Sequence, residues 1–301
     1  MSLISIVSHS RPPALTGDSV PSEEVGSSQA RSRSSNLFLI SVVSHSLPHA
    51  LTPCACCLPQ AALYEQFVAP PLVAKLTPLS DLSEDISNAM REQLREFELA
   101  PLHLRLARIR GDGHCLFRAI AASLVLGAAW GGHSALDCLA DHLAQVAPEH
   151  VHVADALQTL LTGCAADCTR ALAQVNEVEP SDMAVEALRR CAMSHMCRHE
   201  DRFCLCSSEN EDFDAYCERM QGMGAAPAYG GHSEVVALSE ALSLRVEIVD
   251  CSGITELQLY RMGEQLPQSC PTIYLLRRGL HYHLMLSASA EGECIDQLPQ
   301  Q

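Results

Sequence analysis

Positive charge is scarce in this chain of 301 residues: 20 Lys and Arg stand against 36 Asp and Glu, a net charge of −16. Nucleic-acid binders concentrate basic residues, so a phosphate-binding surface is excluded as the main function. Long apolar runs are also missing. The longest, Leu116 to Leu126, falls well short of the ~20 residues that span a bilayer, and Phe38 to Val43 is shorter still, so no membrane span is expected. No secretory leader is recognisable, and the 15 cysteines fall into no extracellular disulfide framework. The expectation is a reducing compartment, the cytoplasm or else the nucleus. The length is ample to bury a core.

What the chain does have is Gly111-Asp112-Gly113-His114-Cys115-Leu116-Phe117-Arg118-Ala119-Ile120, a glycine-flanked turn that delivers one cysteine to the start of a helix apolar on all sides. The first N–H groups of a helix are unpaired, and the helix dipole places partial positive charge there, so a thiolate at Cys115 is favoured. Its pKa is expected below the ~8.5 of a free cysteine, lower still if an imidazolium stands nearby. A turn with little side chain also lets backbone N–H groups, those of Gly113 and Cys115, approach a carbonyl and hold its developing negative charge.

Two further stretches follow in order. Tyr229-Gly230-Gly231-His232-Ser233-Glu234 reads as a tight turn whose glycines permit positive φ, with Ser233 placed to cap the helix after it. Leu280-His281-Tyr282-His283-Leu284 reads as a strand directly after the Gly279 turn, fixing His281 rigidly. An imidazole is suited to take a thiol proton and return it to a leaving amine near neutral pH.

Together these motifs resemble the OTU (ovarian tumour) family of cysteine proteases, over about residues 95–287. The resemblance implies an α/β papain-like fold with a small mixed β-sheet flanked by helices. It also implies a deubiquitinase that hydrolyses isopeptide bonds after the C-terminal glycine of ubiquitin through an acyl-thioester. Cys115 then attacks, His281 shuttles protons and Asp112 assists, either orienting the base or shaping the oxyanion turn, although Asp112 as a plain helix cap fits too. Arg118 matches the motif as an ion-pair residue, and His114 is expected to line the cleft. No metal or organic cofactor is implied. The partners implied are ubiquitin or polyubiquitin chains and ubiquitinated proteins, whose basic surface suits an acidic chain, with no nucleic acid and no membrane.

One position departs from the family. Two residues beyond the base, where family members carry Asp or Asn, stands His283, a possible orienting group that brings no negative charge. This motivates the alternative of a catalytically impaired ubiquitin-binding module. A second alternative, a zinc-binding protein, rests on Cys191, His195, Cys197, His199, Cys204 and Cys206, whose spacing lacks the paired ligands and loop of known zinc sites.

Around this centre, residues 1–79 read as a poorly ordered extension in which LISIVSHSRPPALT at Leu3 recurs as LISVVSHSLPHALT at Leu39. Cys54, Cys56 and Cys57 near His49 are taken as local composition. A helix is expected over 80–99, capped at Ser80-Asp81, with Leu82, Ile86, Met90, Leu94 and Phe97 on one stripe. The catalytic domain is expected over 100–287. Within it Leu104 to Ile109 reads as a strand, 134–220 as mainly helical, and Leu244 to Asp250, Glu256 to Arg261, Thr272 to Arg277 and His281 to Leu286 as strands. Residues 288–301 read as a loose tail.

Overall fold

Six short strands, most with alternating apolar positions, pair into one sheet in the order β1-β2-β6-β5-β3-β4. They are β1 (Val73–Thr77), β2 (Leu104–Ile109), β3 (Arg245–Asp250), β4 (Gln258–Met262), β5 (Thr272–Arg278) and β6 (His281–Ser287). All neighbours run antiparallel except β3 and β5, which are parallel, so the sheet is mixed. This computed structural model describes residues 69–287 apart from 83–85, 100–101, 132–133, 163, 165–166, 208–210, 225–227 and 254–255. The duplicated segment, the Cys54–Cys57 cluster and the tail over 288–301 lie outside the described residues.

Alternation along the strands sends side chains to two cores. Ala107, Ile109, Val246, Ile248, Ile273, Leu275, Leu284 and Leu286 face the larger one, with the helices. Leu104, Leu106, Val249, Leu276 and Met285 face the smaller one, closed by Leu79, Leu82, Ile86, Met90 and Leu94. The apolar stripe expected on the N-terminal helix is therefore the cover of the sheet's second face.

Its boundaries differ from expectation. Leu79–Asp81 makes only one 3-10 turn, and the helix proper, α1, runs Asn88–Leu99. Ser87 marks its start, its Oγ accepting the Met90 N–H at 3.2 Å, so the capping signal is Ser87 and not Ser80-Asp81. The strand β1 lies inside the stretch expected to be unstructured. Flanked by Pro70, Pro71 and Pro78, it pairs with β2 at the sheet edge, and Leu72 and Val73 are buried there.

On the other face α2 (Cys115–Gly131) runs through the larger core, packed against β6 and against α6. Around it stand α3 (Ser134–Val146), α4 (Val151–Leu161), α5 (Cys168–Val175), α6 (Val178–Arg198), α7 (Glu200–Phe203), α8 (Phe213–Gln221) and α9 (His232–Ala241). The all-round apolarity of α2 is thus explained by burial on every side; Leu116, Phe117, Ala119 and Ile120 are at most 1 % exposed. Among the described residues no helix is long and apolar enough to cross a membrane.

Candidate active site

The chain leaves β2 at Ile109, turns through residues 110–114 and enters α2 at Cys115, so strand and helix together fix where the sulfur lies. Gly113 sits at φ +81°, a left-handed conformation that glycine adopts without strain. The turn is tied down by charge. Asp112 accepts the N–H of His114 at 2.9 Å and the Nη2 of Arg118 at 2.8 Å, and the buried Arg118 also reaches Ser181 Oγ (2.7 Å) and Asp182 (2.9 Å). These bonds hold the Asp112 carboxyl below its ordinary pKa even though burial pulls the other way.

A second buried cation supports the turn from beneath. Arg189, on α6, donates to the carbonyls of Met220 (2.7 Å), Ala228 (2.9 Å) and Gly113 (3.1 Å), and its guanidinium lies 4.5 Å from the ring centroid of Phe117. One side chain thus joins the nucleophile turn, the end of α8 and the stretch before Tyr229-Gly230-Gly231. Burial lowers its pKa to about 10, which leaves it charged. Sequence reading missed Arg189. The available signal was an arginine on the apolar face of α6, between Val185 and Leu188 on one side and Ala192 on the other.

The base side is built differently. A hairpin through Gly279 (φ +60°) and Leu280 places His281 first on β6. The β2–β6 register is paired from Leu104↔Ser287 to Ala107↔Leu284 and stops there. At the next outward-facing peptide, Ile109, two imidazoles replace the ladder. His281 Nε2–H donates to the Ile109 carbonyl at 2.9 Å, and the Ile109 N–H donates to His283 Nδ1 at 3.2 Å. The two rings meet edge to face with centroids 4.4 Å apart. The freed N–H of Tyr282 turns toward Cys115 Sγ, and the thiol donates weakly to the Leu280 carbonyl at 3.9 Å. The sulfur therefore lies against the backbone on either side of His281. No hydrogen bond joins Cys115 to the His281 ring in this state, whose Cε1–Nδ1 edge is instead turned to Gly111.

Burial decides the protonation states. It pushes the Cys115 thiol above its ordinary value, against the N–H groups of Tyr282 and Leu116, with the Asp112 charge adding to the rise. It pulls His281 below its ordinary value, against the Ile109 carbonyl and the Asp112 charge. His283 falls to about 3 through burial and the nearby His281, Arg108 and Arg278. The expectation of a lowered thiol pKa is therefore corrected: the helix start is present, but desolvation of a residue only 2 % exposed outweighs it. The resting pair is neutral thiol and neutral imidazole.

Other expectations also change. No hydrogen bond of Asp112 reaches His281; its partners are Arg118 and the His114 N–H, so it shapes the turn and touches the base only through its field. His114, expected to line the cleft, is 8 % exposed. Among the described residues no acceptor takes the Gly113 N–H, and the Cys115 N–H faces its own sulfur, so both expected oxyanion donors are unspent. Gly231 is extended (φ −127°, ψ −157°), and Gly230 is required for space: a Cβ there meets Leu116 Cδ2 at 2.7 Å and Phe117 Cε2 at 2.9 Å. The cap of α9 comes from Glu234, whose Oε2 accepts the Gly231 N–H at 2.6 Å while its Oε1 accepts the Tyr216 hydroxyl; Ser233 Oγ accepts the Cys206 thiol instead.

The zinc alternative does not survive the fold. Cys191 is buried in α6, His195 bonds Glu240 at 3.0 Å, and Cys197 and Cys204 are exposed. Among the described residues no three of His, Cys, Asp or Glu gather as metal ligands.

Residues 65–287 match the family model described as Peptidase C65 Otubain. No curated protein matches the chain. Among solved structures, a complex of h/ceOTUB1 with ubiquitin aldehyde and UBCH5B~Ub is 19 % identical with a TM-score of 0.54, covering 72 % of this chain and 91 % of that one. A ceOTUB1 complex with ubiquitin aldehyde and UBC13~Ub is also 19 % identical, with a TM-score of 0.56 and coverage of 73 % and 95 %. These share the fold. With the family model spanning most of its length, the chain belongs to the otubain (C65) peptidases of the OTU family.

Proposed function

We propose that this protein is a deubiquitinase that cleaves isopeptide bonds after the C-terminal glycine of ubiquitin. The observation that carries the reading is the placement of Cys115 Sγ, at the start of the buried helix, against the backbone that flanks His281. The solved OTUB1 structures hold ubiquitin aldehyde, which supports ubiquitin or its chains as the partner.

The chemistry follows from two neutral groups. His281 Nδ1 takes the proton of Cys115, and the sulfur attacks the glycine carbonyl. The N–H groups of Gly113 and Cys115 receive the oxyanion; the imidazolium returns its proton to the leaving lysine amine, and water then opens the thioester. Nothing in this scheme calls for a metal or organic cofactor. Closure around the substrate has to bring the sulfur to Nδ1, since catalytic hydrogen bonds tighten in the substrate complex. Leu280, 66 % exposed beside the sulfur, offers an apolar edge to the incoming tail.

A ubiquitin carrying a C-terminal electrophile tests the reading. Covalent adduct formation at Cys115, lost in Cys115→Ala, is the expected result. Binding without an adduct would instead establish the non-catalytic ubiquitin-binding module.

A further inference from the structure

The family position for an acidic orienting residue is held by a histidine, yet the His281 ring is oriented nonetheless. We infer that the Ile109 peptide does the work of the missing acid: its carbonyl fixes the tautomer of His281, and His283 holds that peptide in place by accepting its N–H. This rests on the deubiquitinase reading above and deepens it.

The inference follows from which atoms give and which receive. A carbonyl oxygen only accepts, so at 2.9 Å the Nε2 of His281 must carry the proton, and in the neutral ring Nδ1 is then bare. Nδ1 lies on the ring edge beside Gly111, the residue that opens the nucleophile turn, and among the described residues it has no hydrogen-bond partner. It is the nitrogen free to receive a proton. A backbone N–H only donates, so at 3.2 Å the Nδ1 of His283 must be bare as well. That requires a neutral His283, in accord with the burial and the positive neighbours that hold its pKa to about 3.

The geometry explains how both bonds arise at once. The β2–β6 ladder ends at Ala107↔Leu284, so the N–H and C=O of Ile109 face β6 with no backbone partner there, while the other side of β2 continues to β1. Both buried groups need partners, and the alternate residues of β6, His281 and His283, share one face of the strand and supply them. A carbonyl dipole orients as a carboxylate does but stabilises the imidazolium less, because it brings no net charge. Ile109 and His283 are thus positioning residues; neither touches the reacting atoms.

The test combines a tautomer readout with a rate readout on the full chain. Long-range 1H–15N spectra of 15N-histidine protein report which ring nitrogen of His281 carries hydrogen. Labelling by the ubiquitin electrophile between about pH 5 and about pH 9 reports proton removal from Cys115. In the wild type His281 is expected as the Nε2–H form. His283→Ala is expected to mix the tautomers and slow labelling about 10-fold at an unchanged half-saturating probe concentration. His283→Asn, whose Oδ1 replaces Nδ1 as acceptor, is expected to stay within about 3-fold of wild type, whereas His283→Gln, whose amide reaches past that point, follows Ala. If Ala fails to fold, the Asn and Gln pair decides. An Nδ1–H tautomer in the wild type, or His283→Ala and His283→Gln both labelling at the wild-type rate, would overturn the inference while leaving the enzyme reading intact. An Nε2–H tautomer in a wild type that never labels would overturn the enzyme reading and leave the Ile109 clasp standing.

Discussion

On the nucleophile side of the site the orienting contacts run through formal charge: Arg118 holds Asp112 and Asp182, and Arg189 holds three carbonyls, one of them on the turn that delivers Cys115. On the base side His281 meets a carbonyl and a neutral ring, and the Asp112 charge acts on it only at a distance. In the proposed reaction the turn must resist distortion when a negative charge develops beside it, and the ion pairs of the buried Arg118 with the partly exposed Asp112 and Asp182 supply that stiffness. In that proposed reaction the base must change its charge. A neutral clasp holds it in place without locking it as an imidazolium, so the resting site stores no ion pair between sulfur and ring.

The sharpest way to break this contrast is at Arg189. Replacing it with Ala orphans the buried carbonyls of Gly113 and Met220 and the partly buried one of Ala228, and the expected loss is about 3–5 kcal/mol of unfolding free energy in urea titration. Its neighbour Arg190 is exposed, and Arg190→Ala should stay within about 0.5 kcal/mol. Equal effects at the two arginines would mean that the turn does not depend on the buried cation.

Asp112→Asn probes the same side more gently, because the amide keeps the shape and loses the charge. About 1–3 kcal/mol of stability should disappear at neutral pH. The folded pKa of Asp112 lies below its ordinary 3.8, so the wild-type advantage should be complete above about pH 4 and vanish as pH falls through the folded value. An advantage that persisted below that range would show that shape and not charge holds the turn.

The base side loses stability on acidification too, but over a higher pH window. His283 folds with a pKa near 3 against an ordinary 6.5, so the unfolded chain binds its proton first, and stability contributed by the neutral ring is full above about pH 6.5 and falls as pH drops toward 3. At pH 5 the loss amounts to about 2 kcal/mol from this residue alone. His114, His150, His195 and His281 are shifted in the same direction and add to the wild-type slope, so the measurement is the difference between wild type and His283→Asn. Melting curves at pH 7 and pH 5 should show the variant losing less. An identical loss would remove His283 from the buried clasp.

The two sides were also unequally legible in the sequence. Cys115 and the Gly111–Gly113 turn could be read because a glycine pair before an all-apolar run is a local pattern, and local patterns determine helix starts. His281 could be placed on its strand for the same reason, and five of the six strands followed from alternation. What could not be read depends on contacts across the chain. The Ile109–His283 bond spans 174 positions, Arg189 reaches Gly113 across 76, and Gly230 is required because α2 passes against it. The thiol pKa was misjudged for a related reason: the helix start is visible in sequence, whereas the depth of burial that outweighs it is a property of the packed core. β1 was missed because proline flanks on a short edge strand mimic a loop.

The smallest effect separates helix stability from turn chemistry. Gly127 lies in the distal half of α2, exposed, and a Cβ added there meets nothing within 4 Å. Glycine costs a helix interior about 1 kcal/mol relative to alanine, so Gly127→Ala should raise the unfolding free energy by up to ~1 kcal/mol. The charged turn lies three helical turns away and none of its partners changes, so the rate of ubiquitin-probe labelling should be unaltered. A more stable α2 that also changed the labelling rate would show that the helix as a whole, and not the Asp112, Arg118 and Arg189 network at its start, sets the reactivity of Cys115.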